Sequence, residues 1–234
     1  MKQNKILVFT ATYNEVENIA KYLKGILTLN VNLDVLIIDD NSPDKTYEEV
    51  RKFEKSHKNV KLIVREKKMG LDTAHKFAFK YAKDNNFEKL ITMDADLSHD
   101  PRDIPTFLNL LDKYPFVIGS RYIKGGKNEM GFSRYLLSYF GNLFIKKILN
   151  IKSSEYTNSY RGFNLVKLND FDLNIINSKG YSFFMETLYR INESRHDIKE
   201  IPIIFKNRIK GKSKIPKIEI FRTLKNVFLL FLKK

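Results

Sequence analysis

Five apolar runs, each ending in a cluster of polar residues and four of them leading into a helix-forming stretch, constrain this chain more than any other feature. They occupy residues 5–11, 34–39, 60–65, 89–93 and 116–121. Helical patterning is expected over residues 16 to about 29, through about 55, and from 71 to about 83. Short, almost uninterrupted apolar runs are the mark of strands buried on both faces. Strands that alternate with helices imply an α/β fold, with a mostly parallel central sheet and helices on both faces. Ligands of such sheets bind beyond the carboxyl ends of the strands. Those ends carry Thr12 to Glu15, Asp39 and Asp40, Met69 and Gly70, Asp94 to Asp96, and Ser120 and Arg121, so the polar clusters fall on one rim.

The fourth run is the most specific, because Ile91-Thr-Met-Asp94-Ala-Asp96-Leu-Ser-His-Asp100-Pro101 delivers three carboxylates within seven residues. If the backbone stays extended, Asp94 and Asp96 point to one side and Ala95 to the other. Two carboxylates held together repel unless a cation lies between them. Oxygen donors with no cysteine and no adjacent histidine pair suit a hard ion, Mg²⁺ or Mn²⁺, better than zinc. The competing reading is a polar loop in which Asp100 or Asp103 caps the following helix, and a lone D-x-D leaves both open.

Composition narrows the setting. A 234-residue chain that is 43% hydrophobic and 29% charged suits one globular domain with a small appendage. It has no cysteine, which excludes disulfides and thiolate catalysis. No segment approaches 18 consecutive apolar residues, and the N-terminus lacks a secretory apolar region, so a cytoplasmic location is expected. The formal charge of +15 points to an anionic partner. From Lys206 to the end, ten basic residues face Glu219 alone.

After Arg121 the alternation stops. Residues 125–131 read as a mobile loop, 133–150 as an amphipathic helix capped by Ser133, 156–165 as a strand, 183–193 as a helix, 200–205 as a short strand and 206–214 as a basic loop. In the tail, Ile220, Phe221, Leu224, Val227, Phe228 and Phe231 recur at helical spacing among Arg222, Lys225 and Lys233. Such a helix either packs on its own domain or a partner, or lies in a membrane interface with its basic residues near lipid phosphates.

Several motifs, in order, resemble a known family: Thr12-Tyr-Asn-Glu15, Asp39-Asp-Asn-Ser-Pro-Asp44, Gly70-Leu-x-Thr-Ala74, Met93 to His99, Gly119-Ser-Arg-Tyr122, Ser159-Tyr-Arg161, Phe184-Met-Glu186, Glu200-Ile-Pro202, Asn207-Arg208 and Gly211-Lys-Ser-Lys214. The chain is similar to GT-A glycosyltransferases of family 2, and within them to the dolichyl- or polyprenyl-phosphate mannosyltransferases. The resemblance implies a GT-A catalytic domain over residues 1–214, with 215–234 as a basic amphipathic helix. It implies nucleotide-sugar contacts from Thr12, Tyr13, Glu15, Asp40, Gly70, Asp94, Ala95, Asp96 and Arg121, and a divalent ion, Mg²⁺ or Mn²⁺, on Asp94 and Asp96. Asp96, Arg121, Arg134 and Arg208 are the expected catalytic set, and Arg134, Arg208, Ser213 and Lys214 the expected acceptor-phosphate set. Helix capping by Asn14, Asp40 and Ser42 and ordinary surface charge on the arginines are the plainer alternatives.

The implied reaction is inverting transfer of a hexose, with GDP-mannose favoured as donor, onto a polyprenyl or dolichyl phosphate at the cytoplasmic membrane face. The chain would be peripheral there, with a small membrane-bound partner as an option. A phosphate acceptor is already an anion and needs no strong general base. His57, His75, His99 and His196 are accordingly expected in surface or loop positions with no catalytic role. Three residues depart from the family pattern: Asp72 stands where the family loop has Gly, Glu155 where it has Asp, and Asn158 where it has Gly, and the last two bear on the sugar. UDP-glucose as donor, a different acceptor, or a non-catalytic binder of anionic membrane are the alternatives. Acidic strand ends argue against a non-catalytic binder of anionic membrane or nucleic acid, and no G-x-G-x-x-G follows the first strand, which disfavours a Rossmann dehydrogenase. The chain also has no tryptophan and lacks the Gln-x-x-Arg-Trp signature of processive polysaccharide synthases.

Overall fold

Neighbouring residues of the leading strands face opposite ways, and this divides the core into two. Leu7, Phe9, Leu36 and Ile38 enter one apolar cluster, whereas Val8, Val35 and Ile37 enter the other. The computed structural model describes residues 5–129, 131–206 and 218–232. Its strands are β1 (Ile6–Thr12), β2 (Asp34–Asp39), β3 (Val60–Val64), β4 (Lys89–Thr92), β5 (Phe116–Ser120), β6 (Lys127–Asn128), β7 (Arg161–Asn164), β8 (Ile198–Pro202) and β9 (Ile204–Phe205). The α-helices are α1 (Val16–Leu27), α2 (Thr46–Ser56), α3 (Leu71–Asp84), α4 (Ile104–Leu111), α5 (Phe132–Leu149), α6 (Tyr181–Glu193) and α7 (Ile218–Phe231). Helices α1 and α4 pack on one face of the sheet, and α3, α5, α6 and α7 on the other.

Seven strands form the main sheet in the order β3-β2-β1-β4-β7-β5-β8. All neighbours are parallel except β7, which runs antiparallel between β4 and β5. The insertion of β7 has a consequence for the site. Only residues 161–164 of the expected strand over 156–165 pair in the sheet, and the preceding residues form a buried loop at its end. Arg161 pins that loop. Its guanidinium donates to the carbonyls of Asn158 (2.7 Å), Tyr156 (2.9 Å) and, on α6, Phe184 (2.7 Å), and burial pushes its pKa down to about 9.

The second half departs from the sequence reading in three further places. Residues 125–131 are not simply a loop, because β6 pairs there in parallel with β9. The run over 200–205 divides between two sheets, with β8 beside β5 and β9 beside β6. Gly131, not Ser133, occupies the cap position of α5, and Ser133 lies inside the helix. In the first half, His75 is buried on α3 rather than in a surface or loop position, and His99 lies in a loop, as expected, but is buried there.

Helices α5 and α7 also carry large apolar side chains on the surface. Ile145 and Leu149 of α5 and Val227 and Leu230 of α7 point into the core. On their other sides stand Leu137, Phe140 and Phe144 of α5 and Leu224, Phe228 and Phe231 of α7, all exposed. At the two ends Phe132 is 76% and Leu232 63% exposed. Among the described residues no helix is long and apolar enough to cross a membrane.

Candidate functional site

At the end of β1 the polar residues mostly organise one another. Thr12 donates its hydroxyl to Asp39 (2.7 Å), and Asp39 also accepts the amide and hydroxyl of Ser42 (2.8 and 2.7 Å). Asn14 turns the chain with φ 59°, its amide donating to Ser42 Oγ (3.0 Å). Asp44 accepts the amide of Val16 at the start of α1 (3.0 Å). Helix entry is thus served by Asp44 rather than by Asp40. The half-buried Glu15 accepts from Asn18 (2.9 Å), and the ring of Tyr13 lies under the Lys68 ammonium at 4.0 Å.

Asp40 is the busiest carboxylate of this corner. One oxygen takes the forked guanidinium of Arg65, and the other accepts the amides of Met69 (3.2 Å) and Gly70 (3.1 Å). Together these bonds hold the turn that opens α3. Gly70 has φ 98°, a conformation that side chains rarely adopt, so glycine is required there. Asp72, at the first turn of α3, accepts the amide of Gly180 (3.3 Å) and so ties this turn to the start of α6.

Strand pairing on β4 ends at Thr92, and the carboxylates lie in the bend that follows, not on an extended strand. The alternation argument for Asp94 and Asp96 therefore does not describe how they are placed. Hydrogen bonds place them instead. Asp96 is buried and accepts the amide (3.1 Å) and hydroxyl of Ser98, while the Asp94 amide donates to His99 Nδ1 (3.1 Å). Ala95 is buried between them, and Leu97 takes the left-handed φ of 63°. Both carboxylates act on the His99 ring, so they stand close to one group. Asp100 does cap the next turn, accepting from the Arg102 amide (3.0 Å).

His99 bears two signs of cost. Burial pushes its pKa down, against the pull of Asp94 and Asp96 in the other direction. Its Nε2 is buried and meets no hydrogen-bond partner among the described residues. Asn158 comes near enough to favour protonation without completing a bond to Nε2. An unsatisfied buried donor costs about 1–3 kcal/mol.

Arg121 leaves the end of β5 and is 8% exposed. It grips Glu155, which is 0% exposed, with two parallel bonds: Nε to Oε2 at 2.7 Å and Nη2 to Oε1 at 2.9 Å. Burial works against the guanidinium charge, and Glu155, joined by Tyr122 and Asp94, more than offsets it, so the pKa stands above the ordinary arginine range. Phe205 and Tyr122 lie 4.6 and 5.3 Å from the guanidinium carbon. Nη1 makes no hydrogen bond among the described residues, which leaves that edge of the fork for another acceptor.

Of the remaining expected residues, Arg134 lies in the first turn of α5, and Arg208, Ser213 and Lys214 fall outside the described residues. Glu15, Asp40, Gly70, Asp94, Asp96 and Arg121 thus follow the carboxyl ends of the parallel strands β1 to β5, on one rim of the sheet. In the sequence Glu155 stands out only as a departure from the family pattern, and nothing there gives His99 a role. Nothing local reveals a pair 34 residues apart, since it forms only when β7 inserts beside β5.

Among the described residues no group of three or more acidic, histidine or cysteine side chains is arranged to hold a metal ion by itself. Two carboxylates on one bend still fit a hard divalent cation that keeps the rest of its coordination for water and phosphate oxygens.

A mostly parallel sheet, covered on both faces and carrying this acidic rim, defines the class of nucleotide-sugar transferases with a GT-A fold. The chain belongs to glycosyl transferase family 2, whose model matches residues 7–171, and it is a glycosyltransferase. It is 32% identical over 212 residues to the undecaprenyl-phosphate mannosyltransferase of Micrococcus luteus, covering 90% of this chain and 87% of that protein. It is 32% identical over 230 residues to the dolichol-phosphate mannosyltransferase of Pyrococcus furiosus, covering 97% of this chain but 63% of that one. Among solved structures it resembles a mannosyltransferase from Pyrobaculum calidifontis in complex with GDP-Man and Mn²⁺. The TM-score is 0.65 at 17% identity, over 98% of this chain and 64% of that one. A glucosyl-3-phosphoglycerate synthase from Mycobacterium tuberculosis, solved with Mn²⁺, UDP and glucosyl-3-phosphoglycerate, gives a TM-score of 0.68 at 14% identity, over 98% and 79%.

Proposed function

We propose that the protein transfers mannose from GDP-mannose to a polyprenyl phosphate, with inversion, at a membrane surface. The observation that carries this reading is the carboxylate bend of Asp94 and Asp96 beside the forked Arg121, on the ligand rim of the sheet. The named activities of the Micrococcus and Pyrococcus relatives support mannose and a lipid phosphate. The complex of the Pyrobaculum enzyme supports GDP and a divalent ion.

Glu15 and Tyr13 would meet the nucleoside, and the Gly70 turn held by Asp40 lets backbone approach the ligand closely. Asp94 and Asp96 would hold Mg²⁺ or Mn²⁺, whose charge supports the leaving diphosphate. Arg121, oriented by Glu155, offers its free edge to phosphate oxygens. An oxygen of the acceptor phosphate forms the new bond to the anomeric carbon as the bond to the diphosphate oxygen breaks. The electron pair leaves with the nucleoside diphosphate. The acceptor is anionic at neutral pH, so no side chain has to remove a proton. Arg134, Arg208, Ser213 and Lys214 are proposed to receive the acceptor phosphate.

The exposed apolar faces of α5 and α7, with the basic tail, support peripheral binding to an anionic membrane surface. A small membrane-bound partner seated on the same faces is the other occupant. The test of the reaction is a panel of GDP- and UDP-sugars with Mg²⁺ or Mn²⁺, read by binding heat and by transfer to a polyprenyl phosphate. Transfer from GDP-mannose that chelator abolishes is the expected result. Preference for a UDP-sugar replaces the donor, and absence of any transfer overturns the reading.

A further inference from the structure

The His99 ring is 1% exposed and stands between Tyr160 and Phe205, with ring centroids 5.0 and 5.6 Å away. An aromatic slot of this kind would suit phenylalanine, which has no polar nitrogen to leave unsatisfied. What phenylalanine lacks is an acceptor for the Asp94 amide. Accepting at Nδ1 requires a neutral ring with its proton on Nε2, the atom that has no partner among the described residues. The chain therefore keeps a buried orphan donor beside the site, and gains one bond to the backbone of a carboxylate-bearing residue. The same bend holds Leu97 at φ 63°, a second unfavourable feature within three residues. Costs gathered at one bend are expected where geometry for a ligand outweighs stability.

We propose that His99 is a positioning residue: its Nδ1 fixes the Asp94 backbone, and with it the direction in which Asp94 presents its carboxylate beside Asp96. The inference rests on the nucleotide-sugar reading above. His99 touches neither the sugar nor the acceptor and acts through Asp94 alone.

Three variants separate this role from packing. His99→Phe keeps the ring and loses the acceptor, His99→Asn places an oxygen where Nδ1 stands, and His99→Gln places one nearer Nε2. Each full-length variant is melted without ligand and then titrated with Mn²⁺ in the presence of GDP and, separately, of UDP, by calorimetry. The Phe variant should melt at or above the parent temperature and bind the Mn²⁺–nucleotide pair about tenfold or more weakly. The Asn variant should melt lower and recover most of the binding, and the Gln variant should not recover it. Binding by the Phe variant equal to the parent overturns the proposal, as does equal binding by the Asn and Gln variants. That second comparison stands even if the Phe variant fails to fold. A parent that binds neither nucleotide with Mn²⁺ overturns the nucleotide-sugar reading and this proposal with it.

Discussion

The strand-end rim and the flank formed by α5 and α7 break opposite rules of protein construction. On the rim, carboxylates and an arginine are buried; on the flank, phenylalanines and leucines are exposed. Each arrangement is expensive for a chain alone in water, since buried charge needs partners and exposed apolar surface favours association. The two costs point to different ligands. A cation with a diphosphate suits the rim, and an apolar surface with anionic edges suits the flank. The seven-stranded sheet between them obeys both rules, with apolar side chains inside and few buried polar groups beyond the strand ends.

The largest effect expected on this comparison comes from Asp96→Asn. The amide keeps the shape of the side chain and can still accept from Ser98, but it removes one of the two charges proposed for the cation. Metal-dependent binding of GDP should vanish and transfer should fall by at least roughly 100-fold, with thermal unfolding little changed. A variant that turns over normally, or a parent that works in excess chelator, breaks the rim half of the comparison.

Next in size is the flank. Truncation before α7 is a poor probe, because Val227 and Leu230 belong to the core. Phe140→Ser, Phe144→Ser and Phe228→Ser combined alter only exposed positions. Burial of one aromatic side chain contributes about 1.5–3 kcal/mol. Losing three that insert only in part should weaken binding to anionic vesicles at least about tenfold, while transfer to a short, water-soluble acceptor phosphate persists. Vesicle binding equal to the parent would show that the flank serves a protein partner or nothing.

A smaller effect is expected of Arg121→Lys, which tests whether the fork matters beyond its charge. Lysine reaches Glu155 with one group and leaves no second edge for phosphate. Turnover should drop about tenfold, with binding of the nucleotide sugar changed less. The same change should lower thermal stability, because a buried carboxylate loses part of its partner. A Lys variant with the turnover of the parent makes the arginine structural only.

How much of this was legible in the sequence follows from the range of each interaction. The first five strands were readable because each is a short, almost uninterrupted apolar run, and β2 spans the same residues, 34–39, that the pattern marks. The placement of β7 was not readable, since four residues carry no sign of their direction or neighbours. The tail shows a subtler limit. Helical spacing marked one apolar stripe with two alternative outlets, packing or membrane. The helix instead has two apolar faces, Val227 and Leu230 inward and Leu224, Phe228 and Phe231 outward. At the site, residue types at the strand ends were legible, whereas their mutual bonds depend on contacts between distant segments. Asp40 with Arg65 and the Gly70 turn is such a case, as is Arg121 with Glu155.

The smallest and most specific expectation concerns a buried polar group that belongs to neither region. His75 lies on α3 among Phe9, Phe183 and Phe184, at ring-centroid distances of 5.0, 5.7 and 5.0 Å. Burial, aided by the charge of Arg161, lowers its pKa to about 3. The unfolded chain therefore binds a proton near pH 6.5 that the folded chain refuses until about pH 3, so His75 makes stability fall as the pH falls through that window. The slope from one such group is about 1.4 kcal/mol per pH unit at most. Other groups overlap it. His99 acts in the same direction. Asp103, raised to about 6 by burial and by Asp100, acts oppositely, because its folded form holds a proton that the unfolded form has released. A difference between two proteins isolates His75 from both. His75→Phe should flatten the loss of stability between pH 6.5 and 4 relative to the parent, measured by denaturant unfolding at each pH, with GDP binding at pH 7.5 unchanged. Parallel curves would mean that the ring is hydrated or protonated in the folded protein. The costs of burying polar groups would then be confined to the rim, and the contrast between rim and sheet would be sharper than the fold alone suggests.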